Sequence, residues 1–518
     1  MYISIIHFCI SCVTDSIIFH GLKDDLTPYI YLKPFFFLIL FVFWHNIYFF
    51  IRNKFLIGIY KCRFFLIALI LNLSYVIISW PGAWLHDDIG LAVDSTNIVF
   101  DYWQNYLTSI YYIYSMMLIP LVGGVTIVQN ILISSIIGYT VYKVDKYFIK
   151  SHYSYLLLLI LLFPPVIFQN LYTLRLSLYS YLELLFLVIS FLFLTKKEVV
   201  SNSKLVYFVL LIAILSVWRT EGIIYLIFGS IVLIKISYSY NFVYKFFLII
   251  SCLTFTGLLI LPQINHKTCS GENGNYEETA YSNALPGLVC KCVENNDEEH
   301  LSKLTVICDV SKICNEYKNG KSGGELYWEN KLFKKEYSKS DFNEFRICFF
   351  SLVLKYPDIF LKAQFENFKR ASGLVKNKSN IINDPLHIFN GSFSWWASSY
   401  FLSNKAVYPL SINVRKNFFS LICCRNLSDF SLTNPYYPFV WNLFVPLLFI
   451  LLSIVYFLFI KIKVLSFLIS MTLVKSFFVF LTAPDAIFIY YFILYLLGYS
   501  LFLLGVVFLL KKYNLKSD

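Results

Sequence analysis

Two carboxylates stand side by side in the stretch Trp80-Pro81-Gly82-Ala83-Trp84-Leu85-His86-Asp87-Asp88, which follows directly on an apolar run. Adjacent acids with no basic neighbour repel one another and attract a proton or a cation. That suits a general base, or a ligand for a divalent cation at Asp87 and Asp88. The bland alternative is an outer loop that is acidic because it must avoid Lys and Arg. His86, beside the pair, could assist a proton transfer. Two arginines stand out further along. Arg175 ends the stretch Phe163-Pro164-Pro165 to Arg175, and Arg219 opens Arg219-Thr220-Glu221-Gly222. A guanidinium presents a rigid fork that matches phosphate oxygens; it equally snorkels to a membrane interface or pairs internally, Arg219 with Glu221. Glu183 and Lys475 fall within apolar runs and are expected to need ionic partners. Asp485, in Thr482-Ala483-Pro484-Asp485, either lines a site or caps the last helix. Trp84, Trp103, Trp395 and Trp396 offer flat apolar faces of the kind on which sugar rings stack.

The elements that position these residues follow from composition. Of the 518 residues, 58% are hydrophobic and only 14% charged, against about 25% charged in soluble proteins. The chain is therefore expected to be an all-α polytopic membrane protein. Crossing a bilayer takes about 20 apolar residues. Runs at 34–51, 64–80, 125–142, 153–170, 178–195, 243–262, 438–460, 464–482 and 486–510 qualify, and 205–218 with 222–236 reads as a shorter hairpin. Residues 1–19 form a candidate twelfth span, against which Asp15 argues, so about 11–12 transmembrane helices are expected. The apolar segment 106–122 is the ambiguous one, because a span there would switch the side of every later loop. Charge bias decides. If 106–122 does not span, 17 basic residues fall in the inner loops and tail, whereas loop 81–124 on the outer side has no Lys or Arg. The non-spanning reading follows, and the formal net charge of +12 marks a membrane face rather than a nucleic-acid partner.

The same topology puts 263–437 outside, between a transmembrane module at 34–262 (with 1–33 ahead of it) and the last helices at 438–518. These 175 residues hold 21 Lys/Arg, 18 Asp/Glu and eight of the twelve cysteines. An even count in an outward-facing domain points to disulfides, with the pairing open. A zinc site is the weaker reading, since Cys290-x-Cys292 is a poor finger spacing. The fold of this Cys-rich domain, helical or mixed α+β, is open.

The order of features resembles the GT-C superfamily of integral-membrane glycosyltransferases, in the branch that uses polyprenyl-phosphate sugars. The residues that carry the resemblance are Trp80-Pro81-Gly82 with Asp87, an amphipathic outer segment and Val128-Gln129-Asn130-Ile131-Leu132. The Pro164-Pro165 helix end, Arg219-Thr220-Glu221-Gly222 and Thr482-Ala483-Pro484-Asp485 continue it. It covers about residues 64–262 and 438–510, in order more than in identity. It implies an inverting transfer at the outer face of a bacterial inner membrane, from a lipid-linked donor to a glycan, lipid or protein acceptor. Asp87 would be the catalytic base with Asp88 beside it, and Arg175 and Arg219 would hold the donor phosphate. Two places depart from the pattern. Trp103-Gln104-Asn105 stands where relatives often carry His-Pro, and Leu176-Ser177-Leu178-Tyr179 stands where an acid often follows. The rival expectations are a glycan polymerase or ligase of the O-antigen type, and a transporter or flippase for a lipid-linked sugar.

Overall fold

The computed structural model describes residues 2–23, 26–52, 55–84, 86–102, 104–198, 200–236, 242–269, 276–334, 337–373, 409–423, 437–483 and 487–514. Among these there is no strand beyond one isolated bridge, Ala83 to Tyr172. The protein is an all-α, polytopic membrane protein. Among the described residues, seven helices are long and apolar enough to cross a bilayer, or eight if a bent pair counts as one. This falls short of the eleven or twelve expected. The difference lies in the helices over 2–18, 202–218, 223–236 and 444–459, which have 14 to 17 residues, below the roughly 20 that a straight span needs.

The chain forms two compact units. The first comprises 1–270, 382–472 and 492–518, and the second 271–381 with 473–491. The stretch 263–437, read from sequence as one domain, is thus distributed between them.

The first unit opens with α1 (Tyr2–Ile18) and α2 (Thr27–Arg52). Asp15, fully buried on α1, pairs with Lys33 of α2 and accepts a hydrogen bond from Tyr29 at 2.6 Å. The acid that argues against a membrane position is thereby neutralised inside the helix pair.

Next come α3 (Phe55–Ser79), α4 (His86–Thr96), α5 (Tyr106–Leu118) and α6 (Gly124–Val144). Three bonds set the register of α3 on α6. Arg63 meets Asp145 at 2.8 Å, Asn72 donates to Ser134 at 2.9 Å, and Thr126 donates to the Pro81 carbonyl at 2.7 Å. One residue number rises as the other falls, so the helices are antiparallel neighbours. A Cβ at Gly138 would lie 2.6 Å from Phe65 Cα, so only glycine permits this approach. The excursion from Trp80 to Gly123 therefore leaves and returns at the same end of the bundle. Its helix α5 has 13 residues, about 20 Å of helix. Ile89, Leu91 and Ala92 of α4 and Tyr112 and Met116 of α5 share one buried cluster with Ile18 of α1 and Leu32, Phe36 and Leu40 of α2.

The opposite end gathers the basic loops. Glu198 pairs with Lys143 and, at 3.2 Å, with Lys204, and Lys511 of the tail donates to the Phe148 carbonyl at 3.4 Å. Together with Arg63–Asp145, these link the loops 52–63, 143–152 and 196–204 to the tail.

A 3-10 segment, His152–Leu162, and α7 (Pro164–Leu171) meet at a bend of 70°. Pro164 starts a helix readily but has no N–H with which to continue the preceding one. The last carbonyls of α7 would be orphans in an apolar medium. Polar side chains satisfy them: Gln129 donates to the carbonyls of Asn170 (3.0 Å) and Tyr172 (2.7 Å), and Asn130 to that of Asn170 (2.9 Å). Asn170 in turn donates to Asn72 at 3.1 Å and accepts from Tyr181 at 2.6 Å. Then follow α8 (Arg175–Leu194), α9 (Asn202–Trp218), α10 (Ile223–Ile236) and α11 (Phe242–Cys269).

The second unit is built from α12 (Thr279–Ser282), α13 (Leu285–Glu294), α14 (Glu298–Ile307), α15 (Val310–Lys318), α16 (Gly323–Trp328), α17 (Lys339–Lys355) and α18 (Pro357–Ala371). Its described part is helical, with none of the mixed character left open from sequence. Tyr281, Leu285, Leu304, Phe345, Phe349 and Leu352 fill the core. Capping boxes at Ser322/Glu325 and Ser338/Asp341 start α16 and α17. Of the eight expected disulfide cysteines, Cys290 and Cys314 form a bridge with Cα atoms 5.1 Å apart. Cys292, Cys308 and Cys348 are buried free thiols, and burial pushes the first two up to about 12 and the third to about 11. Cys424 and the side chain of Cys269 lie outside the described residues.

Candidate active site

The turn that leads to Asp87 is held from three sides. Trp84 donates to the Pro81 carbonyl at 3.0 Å, and the Ala83 N–H to the Leu171 carbonyl at 2.9 Å. Arg415, fully buried on the helix Ile412–Cys423, donates to the carbonyls of Ser79 (3.0 Å) and Gly82 (2.8 Å) and lies over the Phe419 ring. Gly82 has φ +107°, and a Cβ there would lie 2.9 Å from the Leu171 carbonyl, so glycine is required by both conformation and space.

Helix α4 then separates the two acids. Asp88, Leu91, Ala92 and Ser95 form one buried stripe, at the i, i+3, i+4, i+7 spacing of a helix face. Asp87, one residue and about 100° away, is exposed. Neighbours in sequence, they thus differ in burial. Both lie in the first helical turn, where the dipole favours negative charge. Asp94 is seven residues after Asp87, on the same helical face as Asp87, and burial pushes its carboxyl above the usual range. Asp88 is close enough for its charge to act on the hydroxyl of Tyr112.

Tyr112 also reaches the segment that leads to Arg175. Its hydroxyl donates to the Thr173 carbonyl at 3.2 Å, two residues before Arg175. Helix α5 also meets the residue before the second arginine: Trp218 Nε1 donates to Thr108 Oγ1 at 3.0 Å, and Tyr111 stands edge-on to Trp218 at 6.1 Å. Arg219 follows Trp218 in the chain. It pairs through Nε with Glu221, both side chains nearly buried, and its guanidinium lies 5.9 Å from the Tyr179 ring centroid. The charges of Glu183, Glu221, Arg219 and Arg175 all act on Tyr179, whose hydroxyl donates to the Leu215 carbonyl at 2.7 Å. Tyr225 donates to the fully buried Glu183 at 2.8 Å. Arg219 thus lies by the Tyr179 ring, with Arg175, Glu221 and Glu183 near enough for their charges to act on its hydroxyl, and the pairing of Arg219 with Glu221 raised from sequence is present.

Asn105 caps α5 with its side chain, accepting from Leu107 N at 3.1 Å and donating to the Val217 carbonyl at 2.9 Å. Its φ of 108° is a strained value for a residue with a Cβ, held by those two bonds. Gln104 beside it is buried, and its Oε1 has no hydrogen-bond partner among the described residues. Trp103, Trp395, Trp396 and Asp485 lie outside the described residues, as does the side chain of His86. Among the described residues no three His, Cys, Asp or Glu side chains are grouped to hold a metal.

Sequence reasoning missed the roles of Tyr112 and Tyr179, and named Arg415 only as one of several loop arginines consistent with a polymerase or ligase. No motif announces Arg415, whereas Asn72, Asn130 and Asn170 carried a signal as polar residues inside apolar runs. The chain matches no family model, no curated protein and no solved structure.

Proposed function

We propose that this protein transfers a sugar from a polyprenyl-phosphate donor to an acceptor at the bundle end bearing Asp87, Arg175 and Arg219. The acceptor is a surface glycan, lipid or protein, and the membrane is a bacterial inner membrane with this end outside. One observation carries the reading: an exposed carboxylate on α4 and two arginines around Tyr179 share the bundle end to which the excursion from Trp80 to Gly123 returns. Asp87 rather than Asp88 takes the role of base, because only Asp87 is exposed. The acceptor hydroxyl loses its proton to Asp87 as its oxygen bonds to the anomeric carbon. The bond from that carbon to the phosphate oxygen breaks, and the polyprenyl phosphate leaves with the electron pair. Arg175 and Arg219 stabilise the charge that develops on the leaving phosphate.

The test is transfer of radiolabelled sugar from polyprenyl phosphate in membranes containing the wild type or Asp87→Asn. Loss of a general base is expected to cost about 10²–10⁴-fold in rate. Equal rates for the two proteins would overturn the assignment. Movement of labelled lipid across the membrane without transfer would replace it with the transporter reading.

A further inference from the structure

The second unit carries a cleft of about 750 Å³ between α13, α15, α18 and the turn entering α16. That is within the size range of ligand sites, about 300–1,000 Å³. We infer that it is a binding site for a neutral oligosaccharide. Three features of its lining support this.

Trp328 stands at the cleft with 66% of its surface exposed, although the core of the same unit buries Tyr281, Phe342, Phe345 and Phe349. A tryptophan left in water costs apolar burial and supplies a flat face on which the C–H side of a pyranose can rest. Tyr317 is a second such ring, set rigidly. It packs over Gly287, where an added Cβ would sit 3.3 Å from the Tyr317 hydroxyl. The Cys290–Cys314 bridge ties its helix, α15, to α13 three residues before it.

The charges of the lining cancel. Four basic residues, among them Lys362 and Arg370, face four acids, among them Glu294 and Glu366. A polyanion or polycation would meet as much repulsion as attraction there. A sugar hydroxyl is donor and acceptor at once, and it is served by ammonium, guanidinium, carboxylate and the amides of Asn283 and Asn367 together. A peptide would need apolar pockets for its side chains, and Ile359 and Ala363 are the only aliphatic side chains larger than glycine in the lining.

That this cleft receives the acceptor of the transfer rests on the function proposed above; that it binds a neutral glycan does not. Full-length protein in detergent is titrated, by saturation-transfer NMR and calorimetry, with soluble neutral tetrasaccharides of glucose, N-acetylglucosamine, galactose or mannose. At least one is expected to bind, Trp328→Ala to weaken it about tenfold or more, and Trp328→Phe to retain most of the affinity. Binding by none of the four, or equal binding by wild type and Trp328→Ala, overturns the inference, and so does binding of a charged peptide in their place. Asp87→Asn is expected to bind the tetrasaccharide as the wild type does. Glycan binding without any transfer by the wild type defeats the proposed function and leaves the cleft assignment standing. Transfer to a glycan with KM unchanged in Trp328→Ala defeats the cleft as acceptor site.

Discussion

Arg415 is the side chain on which the approach to Asp87 depends most directly. Its guanidinium is fully buried and donates at 3.0 Å and 2.8 Å to the carbonyls of Ser79 and Gly82, the last turn of α3 and the loop that follows. Hydrogen bonds to a charged group contribute about 1.5–3 kcal/mol each. Arg415→Ala should therefore destabilise the first unit by about 3–6 kcal/mol, before the lost stacking on Phe419 is included. Arg415→Lys keeps the charge but replaces a fork with a point donor. It can serve one carbonyl well, so about half the loss is expected. Melting of the detergent-solubilised chain should rank wild type above Lys above Ala, with Ala lower by roughly 5 °C or more. The sugar-transfer rate should follow the same order, because the loosened turn no longer holds the start of α4. Identical melting of all three proteins would refute the reasoning, since it would mean that neither bond contributes.

Burial pushes Glu278 up to about 7, so the fold favours its protonated form. Its stabilising contribution is full below the unfolded value near 4.5 and is lost as pH rises through 7. Glu278→Gln should then stabilise the second unit by about 3 kcal/mol at pH 8 and hardly at all at pH 4; slower alkylation of the buried thiols Cys292, Cys308 and Cys348 at pH 8 is the readout, and an unchanged rate would exclude the effect. For the Asp15–Lys33 pair, Lys33→Met leaves a buried carboxylate without its cation and should cost about 3–5 kcal/mol, whereas Asp15→Leu with Lys33→Met should recover most of it. A double variant no more stable in melting than the single would show that the pair is not coupled.

The helical bundle and the one-sided excursion were legible because they rest on bulk quantities, apolar run length and the side on which Lys and Arg collect. The same bulk logic does not fix helix length: four of the apolar runs form helices of 14 to 17 residues among the described residues, because hydropathy reports apolarity and not where a helix begins and ends. The site was legible residue by residue only in part. Asp87 and Asp88 read as a pair because a sequence is one-dimensional; the helical phase of α4 sends one outward and the other into the core. Arg175, Arg219 and Glu221 came together around Tyr179, which no spacing rule could announce, because the contact joins α8 to the end of α9. Arg415 was one of 21 basic residues in a polar stretch, and its burial arises from packing distant in the chain. The eight cysteines suggested disulfides, but an even count could not separate Cys290 from Cys292, whose opposite helical phases send one to α15 and the other into the core.

The antiparallel seating of α3 on α6 has a consequence for how such a chain can change. Because Thr126 holds the Pro81 carbonyl at 2.7 Å, the two ends of the excursion meet, and its length is decoupled from the parity of the spans. Residues can be inserted or deleted between α4 and α5 without moving any later loop to the other side of the membrane, at a closure cost that grows only slowly with length. One further crossing there would invert every loop downstream. Length can therefore vary between α4 and α5 while the helices that flank the excursion keep their places.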